Sequence, residues 1–129
     1  MRRNFSLPEE DEESLIALSL PWETLTDGGN RWLLLHEMKF PAGYTHGQGS
    51  VAIQIPPGYP TAGLDMAYFY PQLSRKDGQA LRQCQVQQSI DGKGWQRWSR
   101  HYTWLPGIHS VSTHIVLINR WLEAALSNG

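Results

Sequence analysis

Residues 95–107 carry the side chains with the clearest chemical potential in this sequence. Ser99 and His101 lie two positions apart within them, so in an extended backbone both side chains project from the same face. A histidine placed in this way can accept the hydroxyl proton, which is the activation that a serine nucleophile needs. The alternative is that Ser99 caps a turn and that His101 is a buried, hydrogen-bonded residue. Because the sequence identifies no third group to orient the histidine, it does not predict a triad.

Cys84 is the second candidate nucleophile and the only cysteine of the chain. A thiol is a better acceptor for an activated acyl group than a hydroxyl, because a cysteine with a pKa of about 8.5 is already a few per cent thiolate at neutral pH. In the alternative interpretation, Cys84 is a small, partly buried apolar residue without a chemical role. A single cysteine permits no internal disulfide, which agrees with a reducing cytoplasm.

Two arginines and two tryptophans near these residues are candidate substrate-binding residues. Arg97 and Arg100 each present a fork of donors that fits a carboxylate or an acidic partner surface. Trp98 and Trp104 offer large apolar faces for a binding platform. The alternative is structural, because such arginines commonly form surface salt bridges and such tryptophans commonly lie in a core or cover it.

The composition predicts a folded domain of an ordinary water-soluble kind, with 40% apolar and 18% charged residues. The 129 residues fit one domain, 1–129, in which residues 1–6 and 127–129 are expected to fray. The net charge of −1 and the pI of about 6.5 argue against a nucleic-acid partner. Apolar runs are far shorter than the roughly 20 residues that a membrane helix needs, and the acidic residues 9–13 replace the apolar region of a signal peptide. We therefore expect a cytoplasmic protein that contacts neither nucleic acid nor membrane.

Hydrophobic periodicity and turn signals predict an α+β fold. Ser6-Leu7-Pro8-Glu9 has the pattern of a capping box and predicts a short helix that ends near Leu18; the alternative is a frayed, solvated acidic arm. A C-terminal helix follows Ser110 as its cap, since apolar residues recur at helical spacing over residues 111–125. Residues 72–94 lack periodicity, which predicts an irregular exposed region or a short added hairpin. Between the helices, alternating apolar residues and turn signals predict four antiparallel strands at residues 22–26, 32–40, 51–55 and 66–70.

Four motifs carry a resemblance to a known superfamily. Pro57-Gly58-Tyr59-Pro60 and Leu64-Asp65-Met66 lead into the fourth predicted strand. Trp95-Gln96-Arg97-Trp98-Ser99-Arg100-His101 and then Trp104-Leu105-Pro106 precede the last helix. Over about residues 7–126 the chain resembles the ubiquitin-conjugating enzymes, and within that superfamily the bacterial family E. The resemblance implies a four-stranded antiparallel meander flanked by an N-terminal and a C-terminal helix.

The resemblance also implies a function, which is to receive a ubiquitin-like modifier and transfer it by acyl transfer. The implied partners are a ubiquitin-like or multi-ubiquitin protein, a ThiF-like activating enzyme and a deconjugating metalloprotease of the same pathway. The alternative is a catalytically inactive binding module with the same fold, which scaffolds the modifier or its activating enzyme. No cofactor and no metal are expected, because no spacing of histidines or cysteines matches a standard ligand set.

The sequence departs from the eukaryotic pattern of this superfamily at the reactive position. The His-Pro-Asn motif, whose asparagine supports the oxyanion, has no counterpart in residues 71–94. Matching the Trp-x-Pro motif to residues 104–106 brings residues 99–101 near the reactive position and leaves Cys84 well upstream. The candidate catalytic residues are His101, Ser99 and Cys84, and the sequence leaves open which of them, if any, carries the modifier.

Overall fold

The computed structural model describes residues 1–128, in which two helices and one antiparallel sheet enclose the core. The strands pair in the order β1-β2-β3-β4-β6-β5, so that β4 lies beside β6 and the hairpin β5–β6 extends the sheet. The elements in chain order are α1 (Glu9–Ala17), β1 (Trp22–Asp27), β2 (Asn30–Lys39), β3 (Gln48–Gln54), β4 (Ala67–Tyr70), β5 (Gln87–Ile90), β6 (Lys93–Trp98) and α2 (Val111–Asn128).

The sheet has six strands, so the prediction of a four-stranded meander is wrong in strand number. The four predicted strands correspond to β1–β4, and the short added hairpin that was one expectation for residues 72–94 is present as β5–β6. Its two-residue turn is Asp91-Gly92, with φ angles of 54° and 74°. Asp-Gly is the dipeptide that turns of this kind favour, because both central residues need a positive φ. The tryptophan-rich segment therefore begins inside a strand.

The sheet is curled and encloses apolar side chains on both faces. On one face, side chains such as Phe69 and Trp98 pack against Ile118 and Leu122 of α2. On the other face, a second cluster that includes Trp32, Tyr68 and Trp95 is buried. The curl brings the β5–β6 turn back to the β1–β2 turn, where the backbone N–H of Asp91 donates to Asp27 Oδ2 over 2.8 Å. A sheet with two buried faces explains why so few of its large apolar residues are exposed.

The N-terminal residues hydrogen-bond to β1, although the sequence predicted that residues 1–6 would fray. The N–H of Asn4 donates to the Thr24 carbonyl over 2.9 Å, and the N–H of Thr24 donates to the Arg2 carbonyl over 3.1 Å. Helix α1 begins after Pro8 with no side-chain cap, so the predicted capping box is wrong. The Leu7 N–H instead donates to Glu12 Oε2 over 2.9 Å. Fraying was also expected at residues 127–129, of which 127 and 128 lie within α2 and 129 lies outside the described residues.

The start of α2 is held by the Pro57-Gly58-Tyr59-Pro60 motif and by α1. The Tyr59 hydroxyl donates to Oδ2 of the buried Asp11 over 2.6 Å and accepts the Val111 N–H over 3.1 Å. Asp11 Oδ1 also accepts the Val111 N–H, over 3.3 Å. A carboxylate suits this place because the N-terminus of a helix carries partial positive charge. The side chain of the predicted cap, Ser110, accepts no backbone N–H of the first turn within residues 1–128. Its own backbone N–H donates to Thr113 Oγ1 over 2.9 Å, and its carbonyl accepts the His114 N–H over 3.0 Å.

We expect Tyr59→Phe to lower the free energy of unfolding by about 1–3 kcal/mol, because it leaves the Asp11 carboxylate and the Val111 N–H without their shared hydroxyl partner in a buried place. Urea denaturation at neutral pH measures the change. Tyr70→Phe is the matched control, since Tyr70 is partly exposed on β4. Equal losses in the two variants would contradict the bridging role of Tyr59.

No helix within residues 1–128 is both long enough and apolar enough to cross a membrane.

Candidate functional site

His101 is held by a carboxylate at the surface, in the segment between β6 and α2. Its Nδ1 lies 2.9 Å from Asp65 Oδ2 and 3.1 Å from Asp65 Oδ1. The two side chains are 67% and 44% exposed. The alternative interpretation described His101 as buried and hydrogen-bonded. The structure contradicts the burial and confirms the hydrogen bond. The pair leaves the histidine oriented and open to a partner molecule.

Asp65 reaches His101 because the chain before β4 runs beside the chain after β6. Ala67 pairs with Trp98 at the end of these strands, and the Met66 N–H then donates to the Arg100 carbonyl over 3.1 Å. This continuation of the pairing brings Asp65 opposite His101. Asp65 lies in one of the motifs that carry the family resemblance, and its sequence context indicates no role for it. The sequence shows an aspartate directly before a predicted strand. That position indicates contact with His101 only when β4 is known to lie beside β6.

Ser99 does not form the predicted pair with His101. In the described part of the chain, no hydrogen bond joins the Ser99 hydroxyl to the His101 ring, and Asp65 occupies the Nδ1 atom. The Ser99 backbone N–H donates to the Gln83 carbonyl over 3.1 Å, which ties the segment to the residues before Cys84. Ser99 is half-buried. The structure thus brings Ser99, His101 and Cys84 into adjacent stretches of backbone without joining their side chains.

Cys84 is a buried thiol on the wall of a cavity. The residue is 5% exposed, and its Sγ–H donates to the Arg82 carbonyl over 3.1 Å. Burial raises the pKa of the Cys84 thiol, and the nearby Arg100 guanidinium opposes this rise. The cavity has a volume of about 520 Å³ and lies between the loop after β4 and the β5–β6 hairpin. Its size is within the range of small-ligand sites in proteins.

Neutral amide groups dominate the lining of this cavity. Its one charged lining residue is Arg75, whose guanidinium is paired with Asp77 at 3.0 and 2.6 Å and also donates to the Ala125 carbonyl. A lining of this kind can donate and accept hydrogen bonds and offers little free charge. It therefore suits an uncharged main chain better than a charged ligand. The five lining glutamines are Gln72, Gln79, Gln85, Gln87 and Gln96.

The four predicted binding residues do not form one patch. Trp98 is fully buried in the core, so it offers no surface to a substrate. Arg100 covers the Trp98 ring at 4.9 Å and donates to the Arg82 carbonyl over 3.0 Å, on the side of Cys84. Arg97 pairs with Tyr68 across β4 and β6 and has a buried Nε without a partner in residues 1–128. Because side chains alternate along a strand, Arg97 and Trp98 point to opposite faces.

Trp104 is half-buried and covers the motif that precedes β4. Its Nε1–H donates to the Pro60 carbonyl over 3.0 Å, and its ring packs against Tyr59 and Tyr102. A Cβ at Gly63 would lie 2.3 Å from the Trp104 ring, so this position needs glycine for the close approach. The contacts assign Trp104 a covering role at the base of the His101 segment.

The histidines and acids of residues 1–128 include no cluster of three that could hold a metal ion. His36 has a partner on each ring nitrogen, with Nδ1 2.7 Å from Ser50 Oγ and Nε2 2.7 Å from Glu23 Oε2. Hydrogen bonds from Arg2 and then from His36, opposed by burial, bring the pKa of Glu23 to about 2. His36 lies within an apolar stretch of β2, and its two hydrogen bonds give it a structural role.

Comparison with known proteins identifies the family. A model described as Prokaryotic E2 family E matches residues 7–125, which is more than nine tenths of the chain. No curated protein and no solved structure gives a significant match. An N-terminal helix, a curled antiparallel sheet and a C-terminal helix fit an E2-like fold, here with six strands. On the match over residues 7–125, this chain belongs to prokaryotic E2 family E.

Proposed function

We propose that this protein receives the C-terminus of a ubiquitin-like modifier from an activating enzyme and transfers it to an amine, with Cys84 as the acceptor. Membership of the E2 family supports the conjugating-enzyme-like role. The observation that supports Cys84 is its place on the wall of the 520 Å³ cavity, beside Arg100. A deconjugating metalloprotease that reverses the modification and a cytoplasmic location belong to the same proposal.

The proposed loading step is an acyl transfer to sulfur. The Cys84 Sγ attacks the activated carbonyl carbon of the modifier, a C–S bond forms, and the bond from that carbon to the leaving group of the activating enzyme breaks. The thiol proton leaves with the departing group or with water. Covalent catalysis of this kind divides one difficult transfer into two easier ones. Because Arg100 favours the thiolate against the effect of burial, it is the residue best placed to assist loading.

The cavity supports a particular kind of substrate segment. An extended tail presents main-chain N–H and C=O groups, which glutamine side chains can pair with in both directions. The amides of Gln85 and Gln96 already bond to the protein itself. The lining therefore offers the amides of Gln72, Gln79 and Gln87, and one cation that Asp77 already neutralises. A tail of small, uncharged residues would therefore bring its terminal carbonyl to Cys84 without a cost for burying charge.

A gel-shift assay with the cognate activating enzyme, ATP and modifier tests this proposal. We expect an adduct in the wild-type protein that free thiol cleaves, none in Cys84→Ala, and a slower, thiol-resistant oxyester in Cys84→Ser. Ser99→Ala is the matched control and should load normally. An adduct that persists in Cys84→Ala and disappears in Ser99→Ala would move the acceptor to Ser99. If no adduct forms in any protein, the transfer function is wrong.

The second candidate function is a non-catalytic module that binds the modifier or its activating enzyme. The burial of Cys84 favours it, because a thiol with a raised pKa is a poor nucleophile at neutral pH. This function predicts a stoichiometric complex whose affinity is unchanged by alanine at Cys84, Ser99 and His101. Isothermal titration calorimetry on these variants measures that affinity.

A further inference from the structure

We infer that Ser50, His36 and Glu23 form a catalytic site that takes an acyl group from a small ester and transfers it to water. Ser50 is the nucleophile, His36 is the general base, and Glu23 is the positioning residue. None of the three lines the cavity beside Cys84, and the inference does not rest on the proposed function. It depends on the direction of two hydrogen bonds, on the place of the residues in the sheet, and on the surface beside the serine.

The Glu23 carboxylate determines which ring nitrogen of His36 acts as the base. Glu23 Oε2 lies 2.7 Å from Nε2, and hydrogen bonds from Arg2 bring the pKa of Glu23 to about 2, so the carboxylate is ionised at neutral pH. An ionised carboxylate only accepts hydrogen bonds, so Nε2 carries the proton. In the neutral ring the lone pair then lies on Nδ1, which accepts the Ser50 hydroxyl over 2.7 Å. The two bonds that hold His36 in the sheet thus also direct a base at a hydroxyl.

The other hydrogen-bonded histidines within residues 1–128 lack this combination of partners. The His101 ring has a carboxylate partner and no hydroxyl. The His114 ring has a hydroxyl and a backbone carbonyl, and the His109 ring accepts a backbone N–H. His36 thus joins the three groups of a serine nucleophile site, in which the histidine accepts the hydroxyl proton and a carboxylate orients the ring.

Three neighbouring strands bring the site together, with Glu23 on β1, His36 on β2 and Ser50 on β3. A bulge interrupts β2, because its register with β3 shifts between Leu35 and Met38. These two side chains both lie in the core cluster beneath α2, which strict alternation over three positions would not allow. His36 directs its side chain to the opposite face from its neighbour Leu35. Bulges redirect side chains in this way beside active sites.

The surface beside the Ser50 hydroxyl is aromatic and can be reached from solvent. Ser50 is half-buried and shares its face of β3 with the exposed Gln48 and the buried Ala52, so it lies at the border of the second cluster. Its direct neighbour on β4 is Tyr70, which is 37% exposed. Lys93 Nζ lies 5.2 Å from the Tyr70 ring. An aromatic surface with a cation at its border suits a small acyl group whose carbonyl oxygen becomes negative during attack.

The inferred reaction has two steps. Ser50 Oγ attacks the ester carbonyl carbon while its proton passes to His36 Nδ1, and the bond from that carbon to the alcohol oxygen breaks. The alcohol leaves with this proton. Water then attacks the acyl carbon and gives a proton to Nδ1, the bond to Oγ breaks, and the proton returns to Oγ. One ester and one water thus yield one acid and one alcohol.

The first test labels the nucleophile with a fluorophosphonate, which phosphonylates an activated serine and releases fluoride. Intact-mass measurement and peptide mapping should show one adduct, on Ser50, in the wild type and none in Ser50→Ala. Ser89→Ala, which removes an exposed hydroxyl on β5, is the matched control and should label at the wild-type rate. Cys84→Ala should do the same, because the site does not use the thiol. No adduct in the wild type, or an adduct on another residue, would overturn the inference.

The second test measures the roles of His36 and Glu23 from the labelling rate at saturating probe. We expect His36→Gln to lower this rate on the order of 100-fold and Glu23→Gln by at least about 10-fold, with the half-saturating probe concentration unchanged. Long-range ¹H–¹⁵N correlation spectra should show the Nε2–H form of His36 in the wild type and more of the Nδ1–H form in Glu23→Gln. A purely structural role of Glu23 would leave this tautomer unchanged. Wild-type protein in the Nδ1–H form would contradict the inference even if neither variant folds.

The third test measures turnover with p-nitrophenyl acetate. The wild type should release p-nitrophenolate in a burst and then at a steady rate, and Ser50→Ala should release it only at the rate of buffer. Equal rates in these two proteins would overturn the inference. The assay needs no activating enzyme or modifier, so its outcome is separate from that of the adduct assay for Cys84.

Discussion

Gln96→Leu is expected to lower the free energy of unfolding by about 3–5 kcal/mol, because three buried polar groups lose their partner together. The residue is 3% exposed. Its Oε1 accepts the N–H of Leu73 over 3.0 Å and the Nε1–H of Trp98 over 2.9 Å, and its Nε2 donates to the Leu73 carbonyl over 3.0 Å. One amide thus fastens the loop after β4 to β6. Leucine has a similar volume and can replace none of these bonds.

Urea denaturation measures this loss, and Gln88→Leu on the neighbouring strand is the matched control. Gln88 is half-buried and its side chain makes one bond, to the Ser89 carbonyl over 3.3 Å, so its replacement should change stability by less than about 1 kcal/mol. If Gln96→Leu is too unstable to purify, Gln96→Glu serves in its place, with the rate of Cys84 alkylation as the readout. That rate should rise, because the loop that contains Cys84 is released. An unchanged rate together with unchanged stability would contradict the fastening role.

The second large effect is a loss of stability in mild acid that His114 causes. The ring is fully buried, with Nε2 2.9 Å from the Met66 carbonyl and Nδ1 2.6 Å from the Tyr102 hydroxyl. The carbonyl requires a proton on Nε2, so the neutral Nδ1 accepts the hydroxyl. Burial lowers the pKa of His114, while the bond to Met66 and the charge of Asp65 oppose this effect. The ring is therefore neutral in the native state.

The direction of the pH dependence follows from proton linkage. Below about pH 6.5 the unfolded chain protonates this histidine and the native chain does not, so the unfolded state binds more protons. The stabilisation is complete above pH 6.5 and is lost as the pH falls toward the native pKa, by at most about 1.4 kcal/mol per pH unit. Glu23 acts in a separate range, because its pKa of about 2 removes its contribution only as the pH falls below about 4.5.

Chemical denaturation at half-unit intervals from pH 5 to 8 tests the role of His114. His114→Gln should be less stable than the wild type at pH 8, and the difference should narrow toward pH 5 because glutamine does not titrate. His46→Gln is the control, since His46 is exposed. A wild-type protein whose stability changes with pH in parallel with that of His114→Gln would show that His114 is not responsible.

The sequence was sufficient for the elements whose apolar pattern is continuous. The strands predicted at residues 22–26 and 32–40 are present as the hairpin β1–β2, and Gly28 and Gly29 between them have positive φ angles. Helical spacing predicted α2 from Val111 onward. The hairpin β5–β6 was harder, because β5 has four residues, three of them polar, so the alternation that marks a strand is weak.

The candidate site depends on contacts that no local pattern contains. Asp65 and His101 are 36 residues apart and meet because β4 lies beside β6 and not beside β5. Trp98 was predicted as a binding platform because tryptophan has a large apolar face. It lies on the core face of β6 and is fully buried, so it cannot contact a substrate. The sequence allowed two interpretations of Cys84, a nucleophile or a small, partly buried residue without a chemical role. The structure shows that Cys84 is buried and also lines the cavity, so its role stays a prediction.

The pairing of the N-terminal residues with β1 bears on how the molecule avoids self-association. The outermost strands of the sheet are β1 and β5, and an unpaired outer strand is a template for adding another chain. Residues 2–4 already occupy the free side of β1. On the opposite side, β5 offers only four residues with mostly polar side chains. Both borders of the sheet are thus poor templates for fibre-like growth.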